Sequence, residues 1–539
     1  MNTITATPEW QKLLELRGEW QGRSLRELLD EDPARAHRYL FEGAGIQLDV
    51  SRQRIDDDVL DALLELLRLR DFPARLEALW RGDAVNHTEG RAALHVAYRA
   101  EADDGVCNDD IMQQVVAQRE AMLALAEQVR DGTFAAPAGG AFKDIVHIGI
   151  GGSHLGPELL LEALDDDASS PQQVHFLTTA DPHTLQRLLA RLDPERTLVS
   201  VVSKSFRTAE NVLNAATLRD WLADRRGVDV DQVLAEQFIG VSANADAMAA
   251  FGIPAERQLG FDPALGGRYS VWSAVGLPLA IKLGRDGFLD VLAGARDMDR
   301  HFRTVGPREN LPILLALVGI WNINFFDVGS HGVLPYSNAL DLLPDYLQQL
   351  EMESNGKQVD RDGQPVEYRT APVIWGNVGM NAQHAFFQHL HQGTGWVPLD
   401  VIMVDDVEGD FPEHRDAVLA NALAQMEALN VGRTEQEVLA SADEKGEAGL
   451  VPYKVFPGNR PSSLIMLDRL DARRLGALLA MYEHKVYVQS VIWNINPFDQ
   501  FGVEFGKALA GDIDAALAGD GLGDRHDAVA QAWVKRLKR

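Results

Sequence analysis

This sequence predicts an α/β protein with two doubly wound, mainly parallel sheets, an N-terminal helical layer and a C-terminal helical segment. Three observations lead there. From Phe142 onward, short apolar runs at 145–150, 174–178, 198–202 and 238–241 alternate with amphipathic segments such as 157–164 and 208–222, the texture of strands joined by crossover helices. After a helical stretch at 287–326 the alternation returns, with apolar runs at 373–375, 399–404 and 464–467 and helical patterns at 383–391, 412–429 and 472–491. The first hundred residues, in contrast, read mainly as helices: Asp56 is placed as an N-cap, and Val59, Leu60, Leu63, Leu64 and Leu67 recur at helical spacing. The expected division is therefore 1–120 as a helical layer, 121–285 as a first α/β domain, 286–510 as a second and 511–539 as a helical tail. A small hairpin is expected around the Asp-Gly turn at 360–363. Doubly wound sheets bind ligands at the carboxyl ends of their strands, so functional residues are sought there.

Composition narrows the class. The chain has 539 residues, 46% of them hydrophobic, enough for two or three buried cores. A net charge of -29 argues against nucleic acid held through its phosphates and against an anionic membrane surface. A small phosphorylated ligand remains compatible, provided that local donors overcome the repulsive field. The single cysteine, Cys107, allows no internal disulfide and no cysteine-based zinc site, in keeping with a reducing compartment. The N-terminus lacks the basic and apolar regions of a signal peptide, and the longest apolar run, 311–321, is well short of the ~20 residues that span a bilayer. A cytoplasmic protein with no membrane and no nucleic-acid partner is expected.

Six local patterns could carry chemistry. Gly149-Ile150-Gly151-Gly152-Ser153 ends the first predicted strand and opens a helix, so its backbone amides could approach an anion; a plain tight turn would look the same. It is not a dinucleotide fingerprint, because His154 stands at the third glycine position, and no Walker sequence occurs. A second strand-to-helix loop, Ser203-Lys204-Ser205-Phe206-Arg207-Thr208, offers three hydroxyls and several amides to a terminal phosphate, or is an ordinary Ser/Thr cap. Two such loops in one α/β unit favour a phosphomonoester site. Arg268 lies in the glycine-lined bend 265–270, where it could stabilise a developing oxyanion or pair with a surface carboxylate. Glu353, in Met352-Glu353-Ser354-Asn355-Gly356-Lys357, falls in a last helical turn before a glycine stop, where the negative dipole end strengthens a carboxylate as a base; a solvated helix-end carboxylate is the plainer alternative. His384 is polar amid an apolar segment, a structural or a catalytic histidine, with no His-Glu-x-x-His pattern to suggest metal. Glu504 and Lys507, in the segment 498–507, are one helical turn apart and could be no more than a surface pair of ~0.2–0.5 kcal/mol.

Taken in order, these strings resemble the glucose-6-phosphate (phosphoglucose) isomerase family from Thr88 to Lys507. The resemblance implies two sugar-isomerase (SIS) domains, a homodimer, no metal and no organic cofactor. It further implies reversible aldose–ketose isomerisation of glucose 6-phosphate and fructose 6-phosphate in glycolysis and gluconeogenesis. On matched positions, Glu353 resembles the base that moves a proton between C2 and C1 through a cis-enediol, and Arg268 the stabiliser of its charge. His384, contributed by the neighbouring subunit, and Lys507 resemble the groups that assist ring opening. Ser203, Lys204 through its backbone, Ser205 and Thr208 match the phosphate loop; Gly152 and Ser153 match its other wall; Gln349 and Gln500 match substrate-contacting glutamines. The chain departs from the usual pattern at His154, Arg207, Met380, Ala382 and Phe501. Two other classes stand beside this one. A non-catalytic phosphosugar-binding regulatory module would need the loops but not Glu353, His384 and Lys507. A nucleotide-dependent oxidoreductase would need the glycine fingerprint that is incomplete here.

Overall fold

The computed structural model describes residues 4–164, 170–405, 410–441 and 448–538. It divides into two compact units, Met1–Pro497 and Phe498–Arg539. Eleven strands occur among the described residues: β1 (Leu40–Gly43), β2 (Ile46–Asp49), β3 (Asp144–Ile148), β4 (Gln173–Leu177), β5 (Thr197–Val202), β6 (Phe238–Ser242), β7 (Gln258–Gly260), β8 (Ser330–Pro335), β9 (Val373–Gly376), β10 (Leu399–Val404) and β11 (Ser462–Leu467).

Strands β3 to β7 form one parallel sheet in the order β4-β3-β5-β6-β7. Every residue of β3 and β5 is buried, as expected where crossover helices cover both faces of a parallel sheet. Val146, Ile148, Val199 and Val201 pack with Leu218 and Leu222 of the helix Ala209–Arg226 and with Phe238. The chain leaves β3 for β4 on one side and returns to β5 on the other. The loops after β3 and β5 therefore diverge from adjacent strands, which is the topological switch point where this sheet type opens a crevice. The glycine loop and the Ser203 loop are those two loops.

The second sheet has the order β1-β2-β11-β10-β8-β9. Its β9, β8, β10 and β11 run parallel, whereas β2 pairs antiparallel with β11 and with β1. Two features differ from the sequence reading. The N-terminal region is not helical throughout, because its β1–β2 hairpin extends the second sheet; the turn places Ala44 and Gly45 at φ of 51° and 76°, with alanine where Asn or Asp would have signalled it. Strand β8 was concealed by Gly332 and Pro335. A Cβ on Gly332 would meet Leu399 Cδ2 at 2.6 Å, so a side chain there would push the Leu399 side chain of β10 aside, and Pro335 is tolerated as the last strand residue. The Asp-Gly turn forms as expected, with Gly363 N donating to Asp360 O and Gly363 at φ of 75°.

The helix Ala472–Trp493 is buried from Leu475 to Trp493, and runs against the long helix Leu277–Thr304. Buried charge on this helix is neutralised locally. Arg99 bonds to Asp299 at 2.6 Å and pairs with Glu483, while Trp272 Nε1 donates to Glu483 at 2.9 Å. Burial alone would raise the Asp299 carboxyl, but Arg99 and His484 pull it down to about 2. In the second unit, a short turn at Phe501–Val503 leads into the helix Glu504–Ala518, followed by Ala528–Leu537, with Asp512 pairing to His526 at 3.0 Å. Among the described residues no helix is long and apolar enough to cross a membrane.

Candidate active site

The β3 loop closes as a short 3-10 turn over Gly151–Ser153, with Gly151 at φ of 59°. His147 supports it from below: its Nε2 meets Ser153 O at 2.8 Å, so that nitrogen carries the proton, and burial pushes the imidazole down to about 4. A Cβ at Gly152 would stand 2.2 Å from the Gly267 carbonyl and 2.5 Å from Arg268 N, and one at Gly151 would stand 2.9 Å from Gln349 Nε2. These glycines thus permit close contact between the β3 loop, the bend carrying Arg268 and the segment carrying Gln349. Ser270 Oγ adds hydrogen bonds to Gly267 O at 2.6 Å and to Gly152 O at 3.3 Å.

The β5 loop is held by β6 and the residues after it. Ser203 N donates to Val241 O at 3.1 Å, and Lys204 O accepts from Ala243 N and Ser242 Oγ. Phe206 takes a left-handed φ of 53° and buries its ring, turning the chain so that Ser205 is exposed and the Ser203 and Thr208 hydroxyls meet at 3.1 Å. Thr208 sits at the N-cap of Ala209–Arg226 without capping it through its side chain, which leaves the helix start directed at the loop. The Lys204 ammonium has its pKa lowered by burial first, and further by the Arg91 and Arg268 charges, with Glu89 and Asp262 opposing.

Arg268 is buried and spends its donors on two separate parts of the chain, the Glu353–Ser354 pair and Pro497. Its Nε bonds to Ser354 Oγ at 2.6 Å, Nη2 to Pro497 O at 2.5 Å, and Nη1 lies 3.2 Å from Glu353 Oε1. Gln349 Nε2 donates to Glu353 Oε2 at 2.8 Å, so both carboxylate oxygens are engaged. Tyr269 OH meets Ser354 Oγ at 2.9 Å.

Glu353 ends a helical segment, as the sequence indicates, but that segment is a wide π turn, Gln348–Glu353, following Leu343–Leu347. Such turns insert one extra residue per hydrogen-bonded ring and recur at functional sites. Gly356 is not a left-handed stop. It is glycine because its Cβ would fall 2.4 Å from Met352 O, the carbonyl its own N–H bonds at 2.9 Å. Lys357 Nζ supplies the capping, donating to Glu353 O at 2.9 Å and Ser354 O at 2.7 Å.

A model of the family described as phosphoglucose isomerase matches residues 49–534. The chain belongs to the phosphoglucose isomerase family. It is 46% identical to the glucose-6-phosphate isomerase of Burkholderia multivorans, with 99% of each chain covered, and 43% identical to glucose-6-phosphate isomerase 1 of Chromobacterium violaceum, with 100% of each covered. The crystal structure of a glucose-6-phosphate isomerase from Chlamydia trachomatis superposes with a TM-score of 0.86 at 31% identity, covering 99% of both chains.

Within this phosphoglucose isomerase family member, the residues brought together in the first unit are Gly152, Ser153, Arg268, Gln349 and Glu353, with the Ser203–Thr208 loop beside them at the neighbouring strand end. His384 is placed otherwise: the helix expected over 383–391 is broken into Gly379–Gln383 and Phe387–Gln392, and His384 is exposed in the turn between them. Gln500 and Lys507 belong to the second unit, Gln500 preceding its first turn and Lys507 exposed on Glu504–Ala518. The departures have ordinary accounts. Ala382 is fully buried and Met380 packs on the same core; Arg207 is exposed, its N–H donating to Ser205 Oγ. His154 is held neutral, its imidazole pushed by burial down to about 4. Phe501 is half exposed. Sequence reasoning missed Ser354, Tyr269 and His147, whose signal would have been a polar residue inside each motif.

Proposed function

We propose that this chain is an aldose–ketose isomerase that interconverts glucose 6-phosphate and fructose 6-phosphate with Glu353 as the proton-transferring base. The observation that carries this reading is the Glu353 carboxylate held between Gln349 at 2.8 Å and Arg268 at 3.2 Å. Moving hydrogen between adjacent carbons needs one group that takes a proton and returns it, and general-base catalysis supplies ~10²–10⁴-fold. The rest must come from charge stabilisation and orientation. Arg268, immobilised by Ser354 and Pro497, is a preorganised donor for the charge on the cis-enediolate as Glu353 becomes neutral on accepting the proton. The Ser203, Ser205 and Thr208 hydroxyls with the Lys204 backbone take the phosphate, Gly152 and Ser153 form the facing wall, and Gln349 and Gln500 contact the sugar.

His384 and Lys507 assist ring opening, a role that rests on their matched motifs. The exposure of His384 supports its service to another chain, so the working form is a homodimer in which His384 of the partner subunit completes each site. Residues 121–285 and 286–510 are taken as the two sugar-isomerase domains, and the cytoplasm as the site of action. The test is Glu353→Gln with glucose 6-phosphate: binding is retained, while turnover and exchange of the C2 hydrogen with solvent are lost. Near-normal turnover defeats the base assignment; no turnover in the parent chain favours a binding module instead.

A further inference from the structure

The π turn that carries Glu353 is gripped from behind by the buried helix Ala472–Trp493. Glu351, two residues before Glu353 and facing the opposite way, accepts from Lys485 Nζ at 2.6 Å. Both side chains are almost wholly inaccessible, at 3% and 2% exposed. On the other side of Glu353, Asn355 Nδ2 donates to Val486 O at 3.1 Å and reaches Gln489 Oε1 at 3.4 Å on the same helix. Lys485 has its own support: its Nζ lies 5.6 Å from the Tyr482 ring centroid, and the Tyr482 hydroxyl bonds Asp400 Oδ2 at 3.1 Å. His331 of β8 approaches the same Asp400 oxygen at 3.1 Å. The turn is thus linked to the second sheet through Lys485, the Tyr482 ring beside it and Asp400 of β10.

A fully buried ion pair is a poor source of net stability, since the desolvation of both charges offsets their attraction, and apolar pairs of similar volume often fold as well. What such a pair does supply is a fixed direction. A π turn widens the hydrogen-bonded ring and so changes the direction of the side chains it carries relative to an α-helix, and Glu353 must meet both Gln349 and Arg268. We propose that Lys485 is a positioning residue which, through Glu351, holds the π turn so that the Glu353 carboxylate stays in line with Arg268 and the reacting carbons. This rests on the reading of Glu353 as the base.

The test separates positioning from packing with the double variant Glu351→Met/Lys485→Met, which removes both charges at similar volume. Lys485→Met alone loses stability and turnover together, because it leaves a buried carboxylate unpaired. The double variant is expected to unfold within a few degrees of the parent and to keep its KM for glucose 6-phosphate within twofold, yet to lose kcat and C2 hydrogen exchange by on the order of 10–100-fold, the effect of misplacing a reacting group by up to 1 Å. Recovery of parental kcat together with stability overturns the proposal. If the double variant does not fold, Glu351→Leu/Lys485→Leu, which also removes both charges, must show the same split of kcat from KM, and parental kcat there overturns it equally. Glu353→Gln is assayed in parallel: if it retains turnover, the base reading fails and this role with it, whereas an inactive Glu353→Gln beside a fully active double variant removes only the role of Lys485.

Discussion

Adding one methyl group at Gly152 tests whether the β3 loop and the Arg268 bend must touch. The new Cβ would lie 2.2 Å from the Gly267 carbonyl carbon and oxygen and 2.5 Å from Arg268 N, and real Cβ atoms essentially never come within 3.0 Å. The opposing atoms are backbone, so no side-chain rotation relieves the clash, and one strand of chain must retreat from 2.2 Å to at least 3.0 Å, about 0.8 Å. Arg268 is the group displaced, and its Nη1 stands only 3.2 Å from Glu353. A misplacement of ~1 Å in a reacting constellation costs ~10²-fold in rate, or ~2.7 kcal/mol of transition-state stabilisation, and overpacking costs ~1–3 kcal/mol of stability. Gly152→Ala is therefore expected to lose kcat/KM ~100-fold in the fructose 6-phosphate to glucose 6-phosphate direction while remaining folded by circular dichroism. Gly267→Ala is the internal control, because a Cβ there meets nothing within 4 Å. A Gly152→Ala enzyme within threefold of the parent, or a Gly267→Ala enzyme equally impaired, would refute the close-contact argument.

Replacing both loop hydroxyls, Ser203→Ala with Thr208→Val, removes two donors to a dianion at ~1.5–3 kcal/mol each; kcat/KM should fall at least on the order of 100-fold, and inhibition by inorganic phosphate that stays unchanged would count against the phosphate loop. His147 gives a pH signature: its folded pKa of about 4 lies below the ordinary 6.5, so above pH 6.5 neither state binds the proton and nothing is lost, while from 6.5 down to 4 the unfolded chain binds it and stability falls. Relative to His147→Gln, the parent should lose ~1.4 kcal/mol per pH unit across that window in urea unfolding, and a difference independent of pH would contradict the buried neutral imidazole. Refolding an equal mixture of Glu353→Gln and His384→Ala chains, each inactive alone, should restore about a quarter of parental activity if sites are shared across a two-fold dimer, since half the dimers are mixed and half their sites complete; no recovery places His384 within its own chain's site.

The parts of the fold legible in the sequence were those where one requirement dominates. Strands β3, β5 and β10 are short, mainly apolar runs broken only by single buried polar residues such as His147, Ser200 and Asp400, because both faces are covered. Strand β8 and the β1–β2 hairpin were hidden because Gly332, packed close to the Leu399 side chain, and Pro335 break the strand pattern, and because the turn uses alanine at 44 in a left-handed conformation. The site divides in the same way. Glu353, Arg268 and the two loops carry chemistry in their residue types, whereas the π turn has no sequence signature distinct from an α-helix. Gly356 illustrates the limit: it reads as a helix stop but is required by its distance from Met352 O, not by its backbone angles.

Electrostatics explains why so acidic a chain can still hold a phosphate. The net charge of -29 repels a dianion at long range, but that field is screened over ~8 Å at physiological ionic strength. Burial lowers the pKa of the Lys204 ammonium, and the charges of Arg91 and Arg268 lower it further against the opposing Glu89 and Asp262. In the free protein, burial first and the neighbouring cations second disfavour the charged form of Lys204. A bound dianion reverses the sign of the local field, restores the charged ammonium and so takes up protons on binding at alkaline pH. The affinity for phosphate should consequently fall as pH rises through the Lys204 titration, and a Lys204→Met chain should lose that dependence while keeping the contacts made by the loop backbone. In the proposed site the loop amides and hydroxyls would set where the phosphate sits and the cations around them how strongly its charge is felt, so that positive charge added elsewhere on the surface is expected to replace neither.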